Sequence, residues 1–546
     1  VGMPYTTELA TRAGVKRLND KQQGTLKRGL MRRSIRMIRS SISLSGGKNK
    51  KPAIFEPDTV PQVFDQALFL EKLKEHQAGN NSITYEIWDF GGEKVLQNFN
   101  DLFLTQNSVC ICVFDMREVL NDNRGEYCKT ILNWLNRISV HAPDSPIILC
   151  GSYLDKIKLK KEWDKINKTL NKRLKLAENF ENVPKIDGRW FLPVSNTRNK
   201  NAFVHLRKEV NRVTFQQKFI KEPVSMRWTK VLDDLMEERG KAWVSLLDVY
   251  KIGTINGLRN SEIDVMLRFF SDTGVLVYLS STEVLRSMVI LEPQWLTNQL
   301  GKVIRNREVH ALSENESDAK AIQESGYEKF LVSGFASHNL LSCLWKDKQT
   351  TDFMMELMRH TLLMSDWNEY FIIPCMNMNI ESNINIGKGP KCSFCFSGSI
   401  LPDEVFHRLV CLCVDYSSYI YGAKEPLIGG NQAKVWFGAS DVICLQKIDD
   451  RIGLVVETDN ECSLSVYRCL RMMKAMLGKI NEDFMNGELS WYMEFEKGIS
   501  YENARKNKKL QKWFAEEKRQ QKEVAISVRD VDLQIFLENL RGVQVI

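Results

Sequence analysis

Trp88-Asp89-Phe90-Gly91-Gly92-Glu93 closes a strand-like run, Ile83 to Ile87, whose sequence is Ile-Thr-Tyr-Glu-Ile. A carboxylate at a strand end followed by two glycines is how a phosphate-binding switch is built. The strand would hold Asp89 in place, within reach of Mg²⁺, usually through water. Gly92 carries no side chain, so its backbone N–H can approach a terminal phosphate. Taken alone the D-x-x-G pattern is weak, because Asp and Gly also mark ordinary turns. The residues downstream favour the switch.

Short continuous apolar runs recur between helical stretches: Val109 to Phe114, Pro146 to Cys150 and Trp190 to Val194. Strands apolar on both faces belong in a parallel sheet covered by helices. The apolar stripes Ile131, Leu132, Leu135, Ile138 and Ile166, Leu170, Leu174, Leu176 predict helices between them. This βαβ alternation predicts a doubly wound α/β domain with its ligand at the carboxyl ends of the strands. The Ile147 strand runs into Gly151-Ser152-Tyr153-Leu154-Asp155, where a carboxylate can accept two hydrogen bonds from the N–H groups of guanine. The Trp190 strand runs into Ser195-Asn196-Thr197, whose backbone can cap a base.

Trp88-Asp89-Phe90-Gly91-Gly92, then Phe103-Leu104-Thr105-x-Asn107-Ser108, then Phe114-Asp115-Met116-Arg117 together resemble the Roc GTPase domain of Roco proteins. So does Ala142-Pro143-x-Ser145-Pro146 leading into the Gly151 to Asp155 string. The resemblance implies a Ras-like, mostly parallel sheet and GTP or GDP with Mg²⁺ as cofactors. Carried over by residue, Asp89 and Gly92 would serve Mg²⁺ and the γ-phosphate. Asp155, with Ser152 beside it, would read guanine, and Ser195 and Asn196 would lie next to the base. Tyr5-Thr6-Thr7-Glu8-Leu9-Ala10 looks similar to the first switch of animal Roc domains, which makes Thr7 a nucleotide and Mg²⁺ contact.

Three departures bear on activity. No G-x-x-x-x-G-K-[ST] occurs in the 546 residues, and that loop supplies much of the grip on β- and γ-phosphates. The chain opens at Val1 just before the switch-like string, so the expectation is that the cradle was never included here. A deleted cradle with Val1-Gly2-Met3 as its stub is the alternative. The family's usual Gln after the two glycines is Glu93, the candidate catalytic position, and its charge should weaken turnover unless it acts as a base. The usual residues before the guanine-reading Asp are replaced by Ser152-Tyr153, although the Tyr153 ring could pack on the base. Weak or absent GTP hydrolysis is therefore expected, in a fragment without repeats or kinase.

From Pro223 the pattern changes. Trp228, Val231, Leu232, Leu235 and Ile263, Met266, Leu267 predict two helices. Asp272 to Tyr278 and Met288 to Leu296 read as strands of a winged-helix-like unit. Residues 261–271 are not basic, which argues against DNA binding. Gly274-Val275-Leu276 and Leu291-x-Pro293-Gln294-Trp295-Leu296 resemble the first half of a COR domain. Tyr370-Phe371-Ile372-Ile373-Pro374, Phe396-x-Gly398-x-Ile400-Leu401-Pro402, Val405 to Leu409 and Ala433 to Phe437 resemble its second half, which in the family carries dimerisation. The expected layout is Roc over 1–215, a winged-helix-like COR half over 216–368, an α+β, mainly β, half over 369–500 and a charged helical tail over 501–546. The tail from Tyr501 to Lys522 reads as a solvated helix. His407 reads as a packed, hydrogen-bonded residue. The kinase strings H-R-D and D-F-G are missing as a set, since Asp89-Phe90-Gly91 lies in the wrong context. The resemblance implies that a parent protein could carry a serine/threonine kinase domain.

Net charge is +8, and it is local. Between Gly24 and Lys51 stand Lys27, Arg28, Arg32, Arg33, Arg36, Arg39, Lys48, Lys50 and Lys51 with no acid. The remainder is close to neutral, which argues against a general nucleic-acid binder. Met31, Ile35, Ile38 and Ile42 make an amphipathic basic helix conceivable, with peripheral membrane contact or an acidic partner. A solvated insertion is the reading that composition favours. No apolar run reaches the ~18 residues of a membrane span, and no secretory signal opens the chain. The 13 cysteines form no spaced framework, and several (Cys110, Cys112, Cys150, Cys413, Cys444) lie in apolar strand-like runs, as in a reducing cytoplasm. Cys392-x-x-Cys395 lacks a partner pair and reads as strand packing rather than zinc. Two functions fit this chain: a guanine-nucleotide switch and dimerisation module in signal transduction, or a nucleotide-independent scaffold with a degenerate Roc domain that binds protein partners.

Overall fold

The structure is a computed structural model. It describes residues 2–4, 85, 87–90, 101–105, 107–157, 159–176, 180–195, 203–237, 240–304, 316–377, 384–396, 401–419, 423–437, 441–458 and 463–514. Two compact units are formed, one from Val1–Trp88 and Thr214–Phe270, the other from Asp89–Val213 and Ser271–Ile546.

In the second unit, β1 (Cys110–Asp115), α1 (Met116–Asn121), α2 (Glu126–His141), β2 (Ile147–Ser152), α3 (Lys160–Leu174) and β3 (Leu192–Pro193) come one after another. The strands lie in the order β1-β2-β3, all parallel, with Cys110 opposite Ile147, Asp115 opposite Ser152 and Cys150 opposite Leu192. Side chains alternate across β2. Ile147 and Leu149 face a core that includes Phe114, Met116, Ile131, Leu135, Ile138, Ile166, Leu170 and Leu174. Ile148 and Cys150 face the other side with Leu192, Val194 and Val213. Burial on both faces makes β2 read as a continuous apolar run. Both expected helical stripes are therefore core stripes.

Two expectations need correction. Among the described residues β1 stands at the edge of its sheet, and its two faces differ: Phe114 is buried, whereas Ile111 and Val113 are 42% and 64% exposed. An apolar run alone does not report whether both faces are covered. The run Ile83 to Ile87 supplies alternating apolar residues, but Tyr85 and Ile87 lie outside any strand and Ile87 is 89% exposed.

The first unit holds Gly2–Pro4 paired antiparallel with Pro223–Ser225, and the helices Met226–Glu237 and Leu246–Ile255. Val231, Leu232 and Leu235 are buried, as are Ile263, Met266 and Leu267. Ser245 caps the second helix by accepting a 3.1 Å hydrogen bond from the Asp248 N–H, the usual satisfaction of an orphan donor.

The second unit resumes with the antiparallel pair Val277–Tyr278 and Met288–Ile290. The strand expected to run to Leu296 stops at Ile290, because Pro293 opens a helix, Pro293–Val303. Proline fits the first helical turn, where its missing N–H costs nothing.

Further along lies a seven-stranded antiparallel sheet, built from β4 (Lys391–Phe396), β5 (Leu427–Ile428), β6 (Gln432–Phe437), β7 (Asp441–Ile448), β8 (Arg451–Thr458), β9 (Trp491–Phe495) and β10 (Ile499–Ser500). The order is β5-β6-β7-β8-β4-β9-β10. Helices α4 (Asp403–Ser418) and α5 (Ser463–Phe484) share its core. Cys392 and Cys395 are buried on β4, and no metal-ligating cluster occurs among the described residues. His407 is buried within α4, as its apolar surroundings predict.

In the tail, the described residues 501–514 depart from the expected solvated helix. Tyr501–Lys506 and the 3₁₀ turn Lys508–Phe514 bury Ala504, Leu510, Trp513 and Phe514. Trp513 meets Phe495 edge-on at 5.6 Å. Three apolar residues at the i, i+3, i+4 spacing were hidden among lysines. Basic residues 24–51 lie outside the described residues.

The twelve described cysteines are all free. Burial pushes the thiols of Cys112, Cys150 and Cys469 up to about 12. No described helix is long and apolar enough to cross a membrane.

Candidate functional site at the carboxyl ends of the parallel strands

Each parallel strand delivers polar groups where it ends. β1 ends on Asp115, the N-cap of α1, whose Oδ1 accepts from the Arg117 N–H at 2.8 Å. The Arg117 guanidinium returns to the same carboxylate, with Nη2 2.8 Å from Oδ2 and Nε 3.2 Å from both oxygens. Partial burial pushes the Asp115 carboxyl up. The side-chain and backbone hydrogen bonds from Arg117 outweigh that and hold it below the usual carboxylate range. The Asp115 N–H donates to the Tyr127 hydroxyl at 2.7 Å.

β2 ends on Ser152, whose hydroxyl donates to the Phe114 carbonyl at 2.9 Å and ties the two strand ends together. Tyr153 then takes a left-handed conformation, φ 63° and ψ 36°, rare for an aromatic residue. It is held by the turn around it: the Leu154 N–H donates to Val194 O, and the Lys156 N–H to Tyr153 O, both at 3.0 Å. Val194 donates back to Gly151 O at 2.7 Å. A Cβ on Gly151 would meet Met116 Cγ at 2.7 Å and Phe191 Cδ2 at 3.0 Å, so glycine is needed for this close approach.

Asp155 comes next, in the 3₁₀ turn Leu154–Lys156, partly buried. Its Oδ1 accepts a 3.2 Å hydrogen bond from the hydroxyl of Ser195, which lies just past β3 and is buried. Lys156 Nζ stands 3.7 Å from Oδ2. The structure thus joins Asp155 and Ser195 of the expected set, with Ser152 at the end of the adjoining strand β2. Asp89 is exposed on a stretch without regular secondary structure, and no hydrogen bond or ion pair joins it to that cluster among the described residues. Thr7, Gly92, Glu93 and Asn196 lie outside the described residues.

At the carboxyl ends of β2 and β3 the Asp155 carboxylate is held by the buried Ser195 hydroxyl and lies near the Lys156 ammonium. Sequence reasoning gave no role to Asp115, Arg117 or Tyr127. The signal for the first was present, since Asp directly before a helical stretch is an N-cap signature. The reach of Arg117 back to Asp115 and of Tyr127 from α2 was not visible in one dimension.

Two segments of the chain match known domain families. Residues 55–155 match the family described as Roc, Ras of Complex, domain of DAPkinase. Residues 225–376 match the COR-A domain, C-terminal of Roc. The chain is 27% identical over 236 residues to a probable serine/threonine-protein kinase, pats1, of Dictyostelium discoideum, covering 42% of this chain and 7% of that protein. A second Dictyostelium kinase, roco5, is 25% identical over 229 residues, 41% of this chain and 8% of its own length. A Roc-COR-CHAT protease of Runella zeae is 23% identical over 280 residues, covering 50% and 27%. The chain therefore spans only a small part of these relatives. Among solved structures, Methanosarcina barkeri Roco2 RocCORdC bound to GDP is similar at 18% identity and a TM-score of 0.37, covering 53% of this chain and 79% of that one.

Proposed function

The chain belongs to the Roco family through its Roc and COR-A domains, a Roco-type GTPase module, and from that premise we propose that it is a guanine-nucleotide-linked switch and dimerisation module with weak or absent GTP hydrolysis. The observation that carries the reading is the Ser195-to-Asp155 hydrogen bond at the carboxyl ends of β2 and β3. It orients one carboxylate oxygen and leaves acceptor capacity for the N1–H and amino group of guanine. Adenine presents no such pair of donors, so the site favours guanine over adenine.

Bound Mg²⁺ would supply charge neutralisation at the phosphates, with Asp89 and Thr7 the residues assigned to hold it. The absence of G-x-x-x-x-G-K-[ST] from the 546 residues, and Glu93 after the glycine pair, both support slow turnover. The COR half is assigned dimerisation, with the layout 1–215, 216–368, 369–500 and 501–546, in a cytoplasmic signalling protein. Kinase and protease activities belong to the relatives that bear those names.

A nucleotide-independent scaffold is the second reading, supported by Ser152-Tyr153 and Glu93 in place of the family's usual residues. Titration with a fluorescent GDP, competed by GTP, GDP and ATP, separates the two. Displacement by the guanine nucleotides and not by ATP, with little product in a single-turnover assay, supports the switch. Equal competition by ATP, or rapid turnover, overturns it. Absence of nucleotide binding in a chain that still dimerises selects the scaffold.

A further inference from the structure

The guanidinium of Arg117 lies over the Tyr153 ring, its central carbon 3.6 Å from the ring centroid. Neither group is where a surface ion pair or a loop tyrosine would place it by default. Tyr153 holds a left-handed backbone that favours glycine or asparagine, yet here an aromatic ring takes it and is 42% exposed. Arg117 is fixed twice, by its backbone N–H and by its guanidinium, to the Asp115 carboxylate. A tyrosine free to rotate on an exposed loop loses entropy when it stacks on a ligand. One already held on one face by a fixed cation has lost that freedom beforehand. The same guanidinium draws electron density from the ring and favours stacking with an electron-rich purine on the opposite face.

Position decides what this pair serves. Tyr153 stands two residues before Asp155, in the same turn, and that turn is hydrogen-bonded to the end of β3. Asp155 addresses the edge of a base, whereas an aromatic ring addresses its face. We propose that Arg117 is a positioning residue for the nucleobase, holding the Tyr153 ring as a stacking platform beside the edge-reading Asp155. This rests on the guanine-nucleotide reading and adds a contact to the face of the base beside the edge contact of Asp155. It also assigns Asp115 a function through Arg117, beyond capping α1.

The test uses the full 546-residue chain, fluorescent GDP as the probe, and GDP and inosine diphosphate as competitors. Tyr153→Ala weakens GDP binding by about tenfold or more, since stacking one base on an aromatic ring is worth about 1–3 kcal/mol. Arg117→Ala weakens it by about fivefold, and Arg117→Lys, which keeps charge without the planar face, recovers less than half of the loss. Combining Arg117→Ala with Tyr153→Ala is no worse than Tyr153→Ala alone, because both remove one interaction. Neither single change alters the ratio of GDP to inosine diphosphate affinity, whereas Asp155→Ala does. Tyr153→Phe, which keeps the ring face and guards against a folding defect, binds at least about fivefold more tightly than Tyr153→Ala.

Arg117→Ala binding GDP as the parent does, or an additive double variant, overturns the proposal while leaving the guanine reading intact. A parent chain that binds no guanine nucleotide overturns both, and the two failures are distinguished by that first titration.

Discussion

Arg137 on α2 and Glu404 on α4 form an ion pair across 267 positions of sequence, with side chains only 6% and 3% exposed. The pair joins the end of the parallel-sheet layer to the first turn of the helix beneath the seven-stranded sheet. Asn486 reinforces it by donating to the Val140 carbonyl at 2.7 Å, and the Val140 side chain packs against the same core. Ions this dry are costly to bury, and removing one partner strands the other. Arg137→Ala should therefore destabilise the chain by about 3–5 kcal/mol, and Arg137→Met with Glu404→Leu should recover most of that. Chemical denaturation of the three proteins checks both numbers.

Gly151 stands where β2, α1 and the segment before β3 approach one another. The 2.7 Å clash of an added Cβ with Met116 Cγ predicts that Gly151→Ala costs about 1–3 kcal/mol through overpacking. Because the displaced groups flank Ser152 and Tyr153, guanine-nucleotide affinity should fall with stability. Met116→Ala introduced together with Gly151→Ala should return part of both, read by melting and by GDP titration.

Ser195 donates to Asp155 at 3.2 Å, and one such hydrogen bond is worth about 0.5–1.5 kcal/mol. Ser195→Ala is expected to weaken GDP binding by about 2–10-fold. Ser195→Thr, which keeps the hydroxyl, should lose less.

Burial pushes the His407 imidazole down to about 4, against the opposing pull of the Asp403 carboxylate. Its pKa is thus lower in the folded chain than in the unfolded one. Below the unfolded value of about 6.5 the unfolded state takes up a proton that the folded state refuses. Stability from this residue is complete above about pH 6.5 and falls by about 3 kcal/mol as the pH drops to about 4. Denaturation at a series of pH values should show that slope, and His407→Gln should flatten it.

Trp513 is fully buried between Phe495 and the 3₁₀ turn that carries it. Trp513→Ala should cost about 3–5 kcal/mol, far more than a solvated tail would lose. Thermal melting of the full chain decides between the two.

How much of this was legible in the sequence depends on periodicity. Ile131, Leu135 and Ile138, or Ile166, Leu170 and Leu174, recur at the spacing of one helix face, and each is buried. β2 was legible because both its faces are covered. Pro293 was readable as a helix start but was absorbed into a strand because Met288 to Leu291 is apolar. The run before Asp89 alternates as a strand does, but Tyr85 and Ile87, its described residues, lie outside any strand, because alternation records a side chain's character alone. At the site, Asp155 and Ser195 each follow a strand by two or three residues, a placement the sequence shows, and the structure joins them by one hydrogen bond. Arg117 over Tyr153, and Arg137 on Glu404, join residues that no local pattern relates. Such long-range pairings depend on how elements close upon one another, and a single chain of letters does not encode that in its spacing.

Thiols sealed from water resist alkylating reagents for as long as the surrounding shell stays shut. Reagent attack requires both access and the thiolate, and burial withholds both at Cys112, Cys150 and Cys469. Each is therefore a timer of breathing in its own neighbourhood, two in the parallel-sheet layer and one in α5. Comparing their labelling rates with and without GDP gives a residue-resolved account of which layer a ligand quiets.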